Sequence, residues 1–167
     1  MVVEFADFEC PSCRRHALEA QPSLDKRFGE IMWVAKHFPL RIHPRAPVAA
    51  AAAVCASDQG KFWEMHHVLF ERVEQWSTGS DPDAVLLQLA AEIKLDRSKF
   101  ANCLASRRPL ERVLRGLYDG QSIGVKNSPT FILLQGDTAT ALVGARSAEQ
   151  FESTNLLEIF GGEDMKM

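Results

Sequence analysis

Two cysteines, Cys10 and Cys13, stand two residues apart where a β-favouring run, residues 2–9, gives way to a predicted helix. Because the first N–H groups of a helix lack intrahelical partners and carry partial positive charge, a thiolate is favoured there. Pro11 suits the first helical position, where its missing N–H costs nothing. The spacing therefore predicts a redox dithiol in which Cys10 attacks with a lowered pKa and Cys13, one helical turn later, resolves the intermediate.

Two other interpretations of this motif are a pair of buried core cysteines and half of a zinc site. A structural zinc ion needs four ligands, and the sequence contains no second C-x-x-C motif and no H-x-x-x-H motif. Cys10, Cys13 and His16 could supply three ligands, but no fourth is evident. We therefore expect the site to use neither a metal nor an organic cofactor, and to work through the cysteines alone.

The composition describes a folded chain with little charge bias. Its 167 residues are 46% hydrophobic and carry a net charge of −3 with both signs interspersed, enough for one domain or one domain with an insertion. This balance argues against a nucleic-acid partner and against an anionic membrane surface. No apolar run reaches the length of a membrane span, so we expect a protein that is not embedded in a membrane.

The compartment is left open by the residues themselves. The N-terminus lacks the basic-then-apolar pattern of a secretory signal and opens directly in a strand, which suggests a trimmed chain or a lost leader. An even count of four cysteines is compatible with an oxidising compartment. A C-x-x-C motif occurs equally in cytosolic redox proteins, so the cytoplasm is not excluded.

The elements that must hold the dithiol follow from hydrophobic periodicity. A helix from Cys13 to about Phe28 lies between β-favouring runs at residues 2–9 and 31–38, the order that builds a parallel sheet. The next seventy or so residues contain no convincing strand. Their apolar spacing predicts helices at residues 46–57, 61–76, from Asp81-Pro82 onward, 96–104 and 109–122.

Strand character returns near the C-terminus. Residues 127–134 and 139–143 are β-favouring and are separated by a Gly-Asp turn, which predicts an antiparallel hairpin. A capping box at residues 147–150 opens a last helix through about Phe160. The sequence thus predicts one α/β domain interrupted by a helical insertion, with the domain at 1–43 and 121–163, the insertion at 44–120 and a disordered tail at 164–167.

These features together resemble one known family. A C-x-x-C motif at a strand-to-helix junction, a helical insertion, and Ser-Pro-Thr at residues 128–130 are similar to the DsbA-like branch of the thioredoxin superfamily. Residues 36–40 and 43–44, and residues 59–66, are similar to soluble bacterial members of that branch. The resemblance covers essentially the whole chain, except for an upstream strand that such proteins usually have. It implies an α/β thioredoxin fold with an inserted all-helical subdomain.

The resemblance also assigns a substrate-binding segment. Pro129 is expected to be a cis-proline facing Cys10, which exposes the backbone of Ser128 so that an extended substrate peptide can pair with it. Thr130 completes this segment. The same proline is expected to keep a metal from the two thiols.

The residues beside the cysteines are expected to tune the redox potential. Pro11 and Ser12 occupy the tuning dipeptide of the family, and Ser12 departs from the Pro-His of its best-known oxidants, which implies a less oxidising protein. Glu9, directly before Cys10, is expected to act in the same direction, because a nearby negative charge disfavours a thiolate.

An acidic residue lies upstream of the dithiol. Glu4 matches the position of the buried acid beneath the cysteines of thioredoxin-like proteins. A lone carboxyl group in an apolar stretch has a raised pKa, which suits a group that accepts and returns the proton of Cys13. The alternative is a solvated strand residue. Lys36, on the neighbouring strand, is a candidate counter-charge for Glu4.

The other cysteines and the histidines allow more than one interpretation. Cys55 and Cys103 fall near the ends of predicted helices and form either a structural disulfide or two buried free thiols. A disulfide there would close a loop of about 48 residues and favour a compartment outside the cytoplasm. We expect His16 to be a partly exposed surface residue rather than a group that tunes the dithiol.

The sequence and its resemblance favour a thiol-disulfide oxidoreductase acting on cysteine-containing protein substrates. The resemblance implies a periplasmic or other extracytoplasmic location and a membrane quinone-linked partner that reoxidises the enzyme. Alternatives are a disulfide reductase or isomerase, a peptide-binding chaperone with a structural disulfide, and a glutathione-dependent transferase of the kappa type. The last is disfavoured because such relatives generally act through a serine where this chain has its dithiol.

Overall fold

The computed structural model describes residues 1–29 and 31–151. Before the insertion it contains β1 (Val2–Ala6), α1 (Pro11–Arg15), a π-helical turn (His16–Ala20), α2 (Gln21–Phe28) and β2 (Trp33–His37). Then follow α3 (Ala46–Ser57), α4 (Phe62–Glu71), α5 (Val73–Thr78), α6 (Pro82–Glu92), α7 (Arg97–Leu104) and α8 (Arg108–Ser122). The chain continues with β3 (Thr130–Gln135), β4 (Thr138–Val143) and α9 (Ala148–Phe151). The extension of the last helix to Phe160 and the predicted tail lie outside the described residues.

The sheet has four strands in the order β2-β1-β3-β4. β1 runs parallel to β2, as a strand–helix–strand unit requires, and antiparallel to β3. β3 and β4 form the predicted hairpin, with Gln135 opposite Thr138. All the helices from α3 to α8 lie in sequence between β2 and β3, so the predicted α/β fold with a helical insertion is confirmed.

The helix after the dithiol is not continuous. Cys10 is the N-cap of α1 and Pro11 its first residue, as predicted. At His16 the helix widens into a π-helical turn before the α-helical geometry resumes at Gln21. Gly29, with a φ of 70°, ends α2 in a conformation that a side chain would strain.

A second predicted helix, residues 61–76, is also divided. The break is at Arg72, between α4 and α5. It allows Trp76 to fold back into the core, where the side chain is fully buried and its Nε1 donates a hydrogen bond to the carbonyl oxygen of Leu69 at 2.9 Å. Burial of the indole with its N–H satisfied favours the broken helix over a straight one.

One hydrophobic cluster joins the insertion to the segment that carries the dithiol. From that segment it contains Phe8, Cys10, Cys13 and Ala17. Its buried members from the insertion include Ala49, Ala53, Cys55, Leu69, Phe70, Trp76, Leu86, Leu89, Phe100 and Val113. The dithiol is therefore built into the interface between the sheet domain and the insertion.

Helix α8 packs closely against β2 and the residue that follows it. A Cβ atom placed on Gly116 would lie 2.9 Å from the carbonyl oxygen of His37 in β2. A Cβ atom on Gly120 would lie 2.8 Å from the ring of Phe38. Only glycine permits this close approach of α8 to the sheet.

Candidate active site

The structure brings Cys10, Cys13, Ser128 and Pro129 together. The Ser128–Pro129 peptide bond is cis, and Cys10 Sγ donates a hydrogen bond to the carbonyl oxygen of Ser128 at 3.4 Å. Cys10 is 7% exposed and Cys13 is fully buried, and both are free thiols. Cys10 is thus the sulfur that an incoming substrate can reach.

The two thiols have very different acidities. The pKa of Cys10 falls to about 5, chiefly because the thiol of Cys13 donates to its sulfur. Burial opposes this shift, while the side chain of Ser128 and the N–H groups of Cys13 and Ser12 add to it. Burial and the neighbouring Cys10 and Glu4 raise the pKa of Cys13 well above its ordinary value. At neutral pH the pair holds one thiolate, on Cys10, with a proton retained on Cys13.

Glu4 lies on β1 and is buried below the dithiol. Its cross-strand neighbours are Ala35 on β2 and Phe131 on β3, and its side chain is 1% exposed. Burial, with a smaller contribution from Cys10, raises the pKa of Glu4 to about 8. A carboxyl group with this pKa can both hold and release a proton near pH 7, which is what a proton exchange with Cys13 requires.

Lys36 is not the counter-charge of Glu4, and that prediction is wrong. In the parallel ladder Glu4 pairs with Ala35, whereas Lys36 pairs with Phe5 and so projects to the opposite face of the sheet. There its Nζ donates to Asp119 Oδ2 on α8 at 2.9 Å. The register of the two strands therefore separates the two charges.

Asp7 is a site residue that the sequence analysis missed. Its backbone carbonyl accepts the N–H of Cys10 at 3.1 Å, and its own N–H donates to Cys13 Sγ at 3.5 Å. Its buried carboxylate accepts the N–H groups of Glu9 and Leu40, each at 2.7 Å. Asp7 thus ties both cysteines to the connection that follows β2.

His43 completes the surroundings of Asp7. Its Nδ1 lies 2.7 Å from Asp7 Oδ2, and its side chain is 18% exposed, whereas that of Asp7 is fully buried. The only signal in the sequence is an acid three residues before the motif and a histidine in the proline-rich connection. Nothing in their separation of 36 residues predicts that they meet.

Glu9 has a structural role that the sequence did not predict. Its Oε2 accepts the N–H groups of Arg45 and Ala46, each at 2.7 Å, at the start of α3. The positive end of that helix compensates the carboxylate charge. Glu9 therefore anchors the insertion beside the motif, and its effect on the Cys10 thiolate stays a prediction.

His16 is buried, which contradicts the prediction of a surface position. It is 1% exposed, and its ring lies 4.4 Å from that of Phe131 and 5.5 Å from that of Trp33, centroid to centroid. Burial lowers the pKa of His16 to about 3, so the ring is neutral. The π-helical turn that begins at His16 was not evident in the sequence.

The remaining predicted residues fall as follows. Pro11 begins α1 and Ser12 is half-buried beside it. Thr130 is the first residue of β3, and its hydroxyl donates to the carbonyl oxygen of Asn127 at 2.7 Å, which braces the loop that carries the cis bond. Cys55 and Cys103 form a disulfide between α3 and α7, with their Cα atoms 5.7 Å apart.

Within residues 1–29 and 31–151, no group of three or more His, Cys, Asp or Glu side chains is arranged to hold a metal ion. No helix in this part of the chain is both long and apolar enough to cross a membrane.

The family of the chain is shown by a match over most of its length. A protein-family model described as Thioredoxin matches residues 1–152, and the chain belongs to this family. The fold is shared with alpha-DsbA1 of Wolbachia pipientis, with a TM-score of 0.80 and 19% identity over 96% of this chain and 85% of that one. BdbD of Bacillus subtilis matches with a TM-score of 0.76 and 22% identity over 95% and 86% of the two chains. These two likenesses show that the chain shares its fold with both proteins.

Curated relatives of higher identity are longer proteins. A Na(+)/H(+) antiporter NhaA 1 of Salinispora arenicola is 40% identical over 133 residues, which are 79% of this chain and 20% of that protein. An antiporter NhaA 3 of Salinispora tropica is 35% identical over 136 residues, again 20% of its length. The chain therefore spans about a fifth of the length of the curated relatives that it matches.

Proposed function

We propose that this chain catalyses dithiol–disulfide exchange in cysteine-containing protein substrates and acts as a dithiol oxidase. The observation that carries the proposal is the asymmetry of the Cys10–Cys13 pair, one sulfur reachable with a pKa of about 5 and the other buried with its pKa raised. A stabilised thiolate stabilises the reduced enzyme, and an enzyme that favours its reduced form is an oxidant.

The proposed exchange consists of two thiolate attacks and one proton transfer. A substrate thiolate attacks Cys10 Sγ of the oxidised pair, the Cys10–Cys13 bond breaks, and a mixed disulfide forms between substrate and Cys10. Cys13 leaves as a thiolate and takes a proton from Glu4. The second substrate thiolate then attacks the substrate sulfur, a substrate disulfide forms, and Cys10 leaves as the stabilised thiolate. Two electrons and one proton remain on the enzyme pair.

Ser128 supports a peptide as substrate. Its carbonyl oxygen lies 3.4 Å from Cys10 Sγ, so the backbone before Pro129 borders the reactive sulfur. An extended segment that pairs with this backbone would bring its own cysteine to Cys10, as in other cases where a peptide is added to an exposed edge. Thr130 holds the loop from below through its bond to Asn127.

The deciding measurement is the reduction potential of Cys10–Cys13 against glutathione, on wild type and on a Cys55→Ala/Cys103→Ala variant that removes the second pair. We expect a value near or above about −180 to −210 mV. A value near about −270 mV, where thioredoxin lies, would make the protein a reductase or a partner-driven isomerase instead.

Alkylation of Cys10 tests the alternative from the binding class. A peptide-binding chaperone would keep its activity after alkylation, whereas the proposed oxidase would lose it completely. Glutathione binding by the alkylated protein would favour the kappa-type transferase.

We also propose an extracytoplasmic location and a membrane quinone-linked electron acceptor. The Cys55–Cys103 disulfide supports the location, because such bonds persist in oxidising compartments. Ion transport is not proposed, because the antiporters share only a fifth of their length with this chain.

A further inference from the structure

Two buried polar side chains below the dithiol lack hydrogen bonds. Among the described residues, neither carboxyl oxygen of Glu4 and neither ring nitrogen of His16 has a partner. Each side chain is 1% exposed. Because an unpaired buried polar group costs free energy, native structures keep such groups rarely, and a catalytic role is one reason to keep them.

These two groups border the same aromatic ring. Phe131 is the cross-strand partner of Glu4, and paired residues project to the same face of a sheet. The ring of His16 lies 4.4 Å from the ring of Phe131, so His16 packs on that face as well. Cys13 precedes His16 by three residues, about one helical turn, and the charge of Glu4 contributes to the pKa of Cys13.

His16 also lies at the wall of a surface cavity. The cavity has a volume of about 360 Å³ and lies between the π-helical turn with α2 and residues 145–150. Besides His16, its wall contains Arg15, Glu19 and Ser23. His16 thus contacts Phe131, the cross-strand partner of the buried acid, and also borders a space that solvent can enter. A π-helical turn at this point also fits, because such turns occur frequently at functional sites.

We propose that His16 relays protons between Glu4 and the solvent in the cavity, through a water molecule that bridges the carboxyl group and the imidazole ring. This inference rests on the proposed disulfide exchange. A neutral imidazole can accept a proton on one nitrogen and release one from the other, and a bridging water needs two or more polar partners, which the four unpartnered atoms supply. His16 acts through Glu4, and its ring nitrogens make no hydrogen bond to the reacting sulfurs.

In the oxidising direction the relay would return to Glu4 the proton that Glu4 gives to Cys13. It acts in the opposite sense in the reverse of that step, in which Cys13 attacks the mixed disulfide. When Cys13 resolves a mixed disulfide, its thiol proton passes to ionised Glu4, and Cys13 attacks Cys10 Sγ. The Cys10–Cys13 bond forms and the substrate leaves as a thiolate. With a pKa of about 8, Glu4 is mostly protonated at pH 7 and must first lose a proton. Lys36, on the other face of the sheet, offers no exit for it.

Several charged groups surround this route. Arg15, Glu19, Arg27, Arg146 and Glu149 line the same cavity as His16. Their signs are mixed, so neither a proton nor an anion is held at the mouth of the cavity by charge alone. His66 on α4 is neutral near pH 7, because burial lowers its pKa to about 3, with smaller contributions from His37 and His16.

The test follows one chemical step in purified protein. A mixed disulfide between Cys10 and a synthetic cysteine-containing peptide is prepared, and its decay at pH 7 is measured by acid quench and mass spectrometry. The variants are His16→Phe, which keeps an aromatic ring among Phe131 and Trp33, and His16→Ala, which leaves room for added imidazole. The alkylation rate of Cys10 in the reduced protein serves as a second readout, since it reports the thiolate and not the relay.

A matched control comes from His66. It is 4% exposed, its Nε2 also lacks a partner among the described residues, and burial lowers its pKa to about 3, but it does not line the cavity beside His16. His66→Phe and His66→Ala therefore remove an equally buried imidazole from outside the route.

We expect His16→Phe to slow the decay at least about tenfold, as for loss of one proton-transfer group, with an unchanged Cys10 alkylation rate. Imidazole should restore the decay in His16→Ala and not alter that of His66→Ala. Decay of His16→Phe within twofold of wild type, equal slowing by His66→Phe, slowing of alkylation in parallel with decay, or no rescue by imidazole would each overturn the relay. Failure of wild type itself to form or resolve the mixed disulfide would instead reject the proposed exchange.

Discussion

The molecule contains two cysteine pairs, of which one is a free dithiol and the other a disulfide. Cys10 stands at the N-terminus of α1, whereas Cys55 and Cys103 lie in the last turns of α3 and α7. The N-terminal end of a helix favours a thiolate and the C-terminal end disfavours it. Burial does not separate the pairs, because Cys13 and Cys55 are both fully buried. Position on the helix and the groups at the sulfur decide which pair is reactive.

The largest expected difference between the pairs is in activity. Cys10→Ser should lower the rate of peptide dithiol oxidation by at least about 1000-fold, because the attacking sulfur is lost. Cys55→Ala/Cys103→Ala should stay within about threefold of wild type, since neither sulfur touches the site. A large loss of exchange in the double variant would show that the second pair takes part in the chemistry.

The second pair should matter more than the first for the free energy of unfolding, the reverse of the order expected for activity. Cys55→Ala/Cys103→Ala should lower the free energy of unfolding by about 4 kcal/mol in the chain-entropy model, given the separation of 48 residues. Urea unfolding measures this. As a control, Cys10→Ala/Cys13→Ala should lose the same amount when reductant is added. A reductant effect below about 1 kcal/mol would contradict a structural role for the bridge.

Glu4 sharpens the comparison, because within residues 1–29 and 31–151 only the reactive pair has a buried acid beneath it. Its folded pKa of about 8 lies above the reference value of 4.5, so the folded state binds the proton more tightly and wild-type stability falls as pH rises between these values. Glu4→Gln should therefore be more stable than wild type by roughly 3 kcal/mol at pH 7.

The same variant makes a pH-dependent prediction. The stability gain of Glu4→Gln should vanish below pH 4.5 and reach its maximum above about pH 8. Denaturant midpoints across this range test it. A gain that does not change with pH would mean that Glu4 titrates normally.

The smallest expected effect concerns the acidity of Cys10. Its alkylation rate should rise with pH around a midpoint of about 5. Cys13→Ala removes the thiol that contributes most to this shift, so the midpoint should move up toward that of an ordinary thiol. An unchanged midpoint in Cys13→Ala would assign the low pKa of Cys10 to the helix terminus instead.

What the sequence could predict was local or periodic. The cap of α1 at Cys10 and Pro11, the β3–β4 hairpin, and the capping box, in which the N–H of Gln150 donates to Ser147 Oγ at 3.2 Å, each depend on residues close in the chain. Interactions within a few residues are specified by residue type and spacing, and these predictions are confirmed.

What it could not predict depends on register and on distant contacts. The register between β1 and β2 decides on which face of the sheet Lys36 lies, because a shift of one residue would place its side chain on the opposite face. His16 is buried because the helix widens and Phe131 arrives from β3. Asp7 and His43 meet only when the connection after β2 folds over the motif.

The shared hydrophobic cluster has a thermodynamic consequence. Phe8, Cys13 and Ala17 are buried against side chains from α3 to α8. The insertion therefore cannot separate from the sheet domain without exposing the dithiol to solvent. The chain should therefore melt in a single cooperative transition, and the midpoint of that transition should depend on the oxidation state of Cys10 and Cys13. The thermal stability of the chain is thus linked to the transfer of electrons to and from its dithiol.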